Sequence, residues 1–198
     1  MRKSRALLVL ALTISVIIIN QPRSEAIEND LGLWTPIYIK APITERFITQ
    51  LEVNPRIQEN ISNFNQLLIR PSIGYQWTKN LSIWQGYAWV TNYIPNFINE
   101  NRIWQQILYE REIGRFILST RSRLEERFIE NVHGVPVRFR NMFRAQYALD
   151  KNKNWAFVIY DEPFINIGNH FRGPQSGIDQ NRFFAGLNKK ISDNASIE

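Results

Sequence analysis

The stretch VRFRNMFRAQYAL, Val137–Leu149, places Val137, Phe139, Phe143, Tyr147 and Leu149 on one parity and Arg138, Arg140, Arg144 and Gln146 on the other. Side chains of successive strand residues face opposite ways, so this segment reads as a strand with one apolar face and one charged face. The segment before it does the same. In Arg115–Ile129, Phe116, Leu118, Leu124 and Phe128 oppose Arg121, Arg123, Glu125 and Arg127.

Two earlier segments repeat the pattern. Arg46–Ile57 sets Phe47, Leu51, Val53 and Ile57 against Gln50, Glu52, Asn54 and Arg56, and Gln66–Trp77 sets Leu67, Ile69, Ile73, Tyr75 and Trp77 against Gln66, Arg70 and Gln76. Weaker candidates are Leu33–Lys40, Leu81–Tyr93, Glu100–Gly114, Trp155–Ile167 and Gln180–Ile191, which makes nine strands. Thr78-Lys79-Asn80, the Gly114 corner and Asp150–Asn154 read as tight turns. Glu59–Phe64, Ile94–Asn99, Glu130–Pro136 and Asn169–Asp179 read as longer loops. Segments of about ten alternating residues, joined by short turns at one end and long loops at the other, predict an all-β antiparallel meander closing into a transmembrane β-barrel. Pro71 and Pro163 each remove a ladder donor, so bulges are expected there. Glu100–Val132 also carries apolar pairs at spacing four, a helical alternative that Gly114 interrupts.

Composition bounds the rest. The chain has 198 residues and a mass of 23.4 kDa, enough for one domain with a substantial core. Its mean hydropathy of -0.31 excludes a polytopic helical membrane protein, and 13% aromatic residues argue against disorder. With no cysteine, disulfide scaffolds, zinc ribbons, iron–sulfur sites and thiol nucleophiles are excluded. The net charge of +6 invites a nucleic-acid reading, but residues 1–26 carry half of it and the remainder is only +3. Nucleic acid is therefore not expected as a partner.

Those first residues read as an address. Met1–Arg5 is basic, Ala6–Ile19 is an unbroken apolar run too short to span a bilayer as a helix, and Ser24-Glu25-Ala26 supplies small residues for cleavage. The expectation is a signal peptide over 1–26, cut after Ala26, with the exported domain in 27–198.

Asp30-x-Gly32-Leu33-Trp34-Thr35, Leu81-Ser82-Ile83-Trp84-x-Gly86-Tyr87, Glu100-Asn101-Arg102-Ile103-Trp104-Gln105-Gln106, Arg121-x-Arg123-x-Glu125-x-Arg127 and Asn181-Arg182-x-x-Ala185-Gly186-Leu187 together resemble a bacterial family, the domain of unknown function 2490. The resemblance implies an outer-membrane β-barrel without an assigned activity. It also implies strand sequence beyond Glu198: Ala195–Glu198 looks like a tenth strand just begun. An open seam beside Leu33–Lys40, or a strained closure by the ninth strand, is the structural expectation.

Catalytic and metal chemistry find little support. His133 and His170 both fall in loops, Ser176 is several residues from the second, and no histidine-serine pairing lies on a strand face. The acidic neighbours Asp161-Glu162 and Glu125-Glu126 point to opposite faces and cannot chelate as a unit. The nine glycines are scattered and mostly mark turns. No cofactor, metal or enzymatic activity is expected.

What remains is the charged face. With the apolar parity toward lipid, the inward set is Glu52, Arg56, Arg70, Glu100, Arg102, Glu110, Arg121, Arg123, Glu125, Arg127, Arg138, Arg140, Arg144, Glu162 and Arg182. Such a lumen either zips itself shut with arginine–carboxylate pairs or forms a narrow channel favouring small anions or acidic oligosaccharides. The other partners implied are outer-membrane lipid and the machinery that assembles barrels. Two alternatives stand beside this: a barrel enzyme modifying lipid acyl chains, which needs a loop histidine to meet a serine and a carboxylate, and a soluble periplasmic or secreted ligand-binding barrel, whose arginines would face solvent. Aromatic belts are expected at the membrane interfaces, from Trp34, Tyr75, Trp77, Trp89, Tyr93, Tyr109, Tyr147 and Trp155.

Overall fold

The alternation is realised as one curled antiparallel sheet. A computed structural model describes residues 9–12, 15–19 and 30–198; the cut after Ala26 lies outside the described residues. The strands are Val9–Leu12 (β1), Ser15–Ile19 (β2), Asp30–Trp34 (β3), Ile37–Pro42 (β4), Phe47–Gln58 (β5), Asn63–Gln76 (β6), Leu81–Asn92 (β7), Ile98–Ile113 (β8), Phe116–Ile129 (β9), Val137–Ala148 (β10), Trp155–Ile167 (β11), Gly177–Ser192 (β12) and Ala195–Ile197 (β13). β3 and β4 pair with successive parts of β5 and act as one strand broken at Thr35-Pro36. All nine strands read from the sequence are present. Glu100–Val132 is strand and not helix, and the described residues include no helix at all.

From β5 to β12 each strand pairs with the next. At one end the chain turns within residues 43–46, 77–80, 114–115 and 149–154; at the other, connections lengthen from 59–62 to 93–97, 130–136 and 168–176. The 150–154 turn is closed by the Asp150 carboxylate, which accepts the N–H groups of Trp155 (2.7 Å) and Asn154 (3.1 Å). Those bonds hold the Asp150 carboxyl below its ordinary range. Glu59–Phe64 is tighter than its sequence suggests. Asn63 and Phe64 already pair with β5, and Glu59, Asn60 and Ile61 turn the chain at positive φ (54°, 56° and 63°).

The prolines act differently from one another. Opposite β7 the ladder simply skips Arg70 and Pro71 and resumes in unchanged register, because the missing N–H costs hydrogen bonds without lengthening the strand. Pro71 therefore makes no bulge. Near Pro163 a shift does occur, between Phe164 and Ile165 against β12.

The two banks of the sheet meet through short strands. β1 lies between β4, antiparallel, and β13, parallel, while β2 extends the same line along β3; β1 and β2 both fall within the segment read from the sequence as a leader, so a cut after Ala26 would remove them. β13 pairs with β12 only over Lys189–Ser192. Among the described residues no strand pairs with the remaining free edge of β12, so a seam stays open there, facing the β3–β4 bank.

Outward positions carry Phe47, Leu51, Ile73, Ile83, Ile103, Ile107, Leu118, Leu124, Phe143, Phe157, Ile165, Phe183 and Leu187, all exposed. Polar residues also lie on this surface, among them Thr49, Gln85, Gln105 and Thr120, and two pairs satisfy each other: Ser122 donates to Asn141 and Asn181 to Asp161, both at 2.7 Å. Phe47–Tyr75 and Phe116–Tyr147 ring pairs, with Trp77, Tyr109 and Trp155, cluster near the short-turn end; Phe64, Tyr93 and Phe97 meet in tilted and edge-on contacts at the long-loop end. Trp34 departs from the expected belt. It shares the inward parity of its ladder partner Arg56 and is buried.

Glycines do more than turn the chain. Gly74 is paired with Trp84 and Gly86 with Trp104, all on inner faces. A Cβ at Gly74 would lie 2.6 Å from the Trp84 indole, and one at Gly86 only 2.1 Å from that of Trp104. Each indole thus lies over bare backbone on the neighbouring strand, and Leu68, Ala88 and Val90 complete this apolar part of the interior. Gly86→Ala should lower stability by ~1–3 kcal/mol through overpacking, and Trp104→Phe in the same chain should recover part of the loss. Urea unfolding of the refolded protein in detergent measures both.

Candidate functional site

The interior opposite the tryptophans is a network of guanidinium and carboxylate groups. Inward parity on β9 places Arg121, Arg123, Glu125 and Arg127 in one row, and β10 faces them with Arg138, Arg140 and Arg144. Glu125 is fully buried and is the centre. It accepts from Arg138 (2.7 and 3.1 Å) and Arg140 (2.8 Å), with Arg123 at 3.7 Å. Arg140 also donates to Glu162 on β11 (2.9 Å), which in turn accepts from Arg121 (2.6 Å).

Nearer the long-loop end, Glu100 on β8 holds two forks at once, Arg102 (2.6 and 2.9 Å) and Arg127 (2.6 and 3.1 Å). Glu52 on β5 takes Arg70 at 2.8 Å, and Arg144 pairs with Glu198. Bidentate geometry suits arginine because its planar fork matches a carboxylate. Aromatic faces supply the remaining support. The Arg123 guanidinium lies 4.1 Å from the Trp104 ring centre and Arg140 4.2 Å from that of Phe164.

Eight of the ten expected inward arginines have a carboxylate within 4 Å. Arg56 and Arg182 do not, among the described residues. Arg56 donates to Gln66 (2.6 Å) and lies 3.9 Å from the Trp34 ring centre. Arg182 lies over Phe164 and Trp34 at 4.4 and 4.7 Å, and has the Gln180 amide oxygen at 2.7 and 2.8 Å when that amide faces it. Glu110 is the one departure among the acids. It keeps inward parity but lies at the exposed end of β8, beyond the reach of the network.

Several residues of the network were not anticipated. Asp179, near the start of β12 where the sequence reads as loop, pairs with Arg138 at 3.1 Å. Gln106 accepts from Arg123 at 2.6 and 3.0 Å. Trp104, Phe164 and Trp34 serve as aromatic platforms for guanidinium groups. Parity held the signal for these three: Trp104 is two residues from Arg102, Phe164 two from Glu162, and Trp34 opposes Arg56.

A cavity of about 190 Å³ lies in this interior beside the seam. Arg56, Arg70, Arg121, Arg140, Arg144 and Arg182 line it, against Glu52, Glu162 and Glu198. A larger depression of about 470 Å³ lies over Leu118, Phe143, Ala145 and Ile159 on the outer wall. The loop histidines meet each other, His170 Nδ1 lying 3.4 Å from the His133 carbonyl oxygen, while Ser176 is tied by its backbone to Asn169. Among the described residues no group of three or more potential ligands could hold a metal ion.

Residues 31–198 match the family model described as protein of unknown function, DUF2490. The chain belongs to that family. An uncharacterized protein of Methylorubrum extorquens is similar to this DUF2490 chain, 32% identical over 155 residues, which cover 74% of the chain and 66% of the relative. The chain thus spans about two thirds of that relative's length. No solved structure matches it.

Glu125→Gln leaves three guanidiniums around a neutral amide in a buried site. The expected cost is about 3–5 kcal/mol, the penalty of breaking a buried pair from one side, with Glu110→Gln within ~0.5 kcal/mol of the parent. Urea midpoints of the two variants decide this.

Proposed function

We propose that this DUF2490 chain is a non-enzymatic outer-membrane β-barrel protein whose interior is closed by ion pairs, exported by its 1–26 leader and inserted by the barrel-assembly machinery. The observation that carries the reading is the direction of the charges. Arginines point into the curled sheet and pair there, while phenylalanine, leucine and isoleucine cover the outside. A soluble binding barrel would reverse the two faces. Facing lipid near the midplane costs an arginine ~2–4 kcal/mol, so the sorting is what a membrane demands. Rings gathered toward both strand ends suit the two interfaces, and the outward Ser122 and Asn141 satisfy each other across neighbouring strands.

The interior favours closure over conduction. Side chains of β5 and β6 (Glu52, Arg56, Arg70) and of β9 to β12 (Arg121, Arg140, Glu162, Arg182) line one cavity of only about 190 Å³, and most of these charges are taken up by pairs along the walls.

Refolded in detergent, the chain should migrate faster on a gel unheated than boiled, and it should fractionate with outer membranes. In planar bilayers it should show no stepwise conductance in 1 M potassium chloride. Recovery in the soluble periplasmic fraction, or discrete anion-selective steps, would overturn the reading.

A further inference from the structure

We propose that Arg56 and Arg182 form a binding site for a phosphate group at the seam of the barrel. These are the two inward arginines with no carboxylate within 4 Å among the described residues; Glu52 and Glu162 act on them only from farther away. Their partners are neutral: Gln66 and the Trp34 face for Arg56, Gln180 with the Trp34 and Phe164 faces for Arg182. Neutral partners hold a guanidinium in place and leave its charge available. Arg56 is on β5, on the β3–β4 side of the seam, and Arg182 is on β12, the free-edged side. An anion between them would tie the two banks together.

Two further observations point to an anionic occupant. The adjoining cavity is lined by six arginines against three carboxylates, and three of these arginines, Arg56, Arg70 and Arg121, have a buried Nε without a hydrogen-bond partner. Buried donors left unpaired are costly, and an oxyanion with several acceptor oxygens satisfies more than one at a time.

Size narrows the class. About 190 Å³ is room for roughly six waters at ~30 Å³ each, below the ~300–1,000 Å³ of sites for drug-sized ligands. A phosphate group fits; an acidic oligosaccharide does not. A phosphate monoester carries close to two charges at neutral pH, nearer than a carboxylate to what the arginine excess requires. The group could be free phosphate or the head of a lipid entering through the seam. Because the site belongs to the interior, it is independent of where the barrel resides.

The test is calorimetric titration of the detergent-refolded full chain with inorganic phosphate, and separately with lysophosphatidic acid in mixed micelles of that detergent. Saturable binding of the first identifies a soluble ligand and of the second a lipid headgroup; either supports the site. Arg56→Gln and Arg182→Gln should each weaken binding at least tenfold while keeping heat-modifiable migration, Arg56→Lys should weaken it less, and the exposed Lys153→Gln should leave it unchanged. Arg56→Gln breaks no ion pair, so it carries the test alone if Arg182→Gln fails to fold. Absence of saturable binding of both probes to the folded parent, unchanged binding in Arg56→Gln, or equal weakening in Lys153→Gln would overturn the proposal.

Discussion

A guanidinium removed from water has to be answered by a carboxylate, an acceptor or an aromatic face, and nearly every feature of this interior follows from that demand. Ten arginines share one face of the sheet. Glu125, Glu162 and Glu100 are each positioned to receive more than one of them, which only adjacent strands in fixed register can arrange. A slip of one residue would send the arginines to the other surface. The ion pairs therefore fix the register as well as fill the space.

Tryptophan and glycine resolve a second demand, that of volume. β6, β7 and β8 contribute few charges, and their part of the interior is filled by Trp84 and Trp104 lying over Gly74 and Gly86. The two halves touch where Arg123 of β9 lies over the Trp104 ring while donating to Gln106 of the same strand as that indole. An apolar wall and a charged wall thus share one residue pair as their boundary.

The seam concentrates what the pairing leaves over. Among the described residues backbone hydrogen bonds cross it only through β13 and through β1, which lies in the expected leader, both short, and along most of its length the banks face each other through side chains such as Arg182 over Trp34. It is also where the arginines without carboxylates gather. The least paired charge and the least paired backbone coincide.

The strands could be read from the chain itself, because a period of two with Phe, Leu and Ile against Arg and Glu leaves one geometry available. All nine followed, and Arg70, Arg102, Arg123, Arg138 and Arg140 of the charged parity are buried. Family membership was legible in Trp84-x-Gly86, Arg102-Ile103-Trp104 and the arginine row of β9. Three things were not legible. Whether Glu110 or Asp179 would join the network depended on their height along the strands, which parity does not encode. That Gly74 and Gly86 are seats for indoles depended on cross-strand neighbours. Which arginines would lack a carboxylate depended on distances between strands far apart in sequence. Parity is a local property of the chain, so the sequence determined which face each residue takes. Pairing is a relation between strands, so only the tertiary structure decided which charges meet and which are left over.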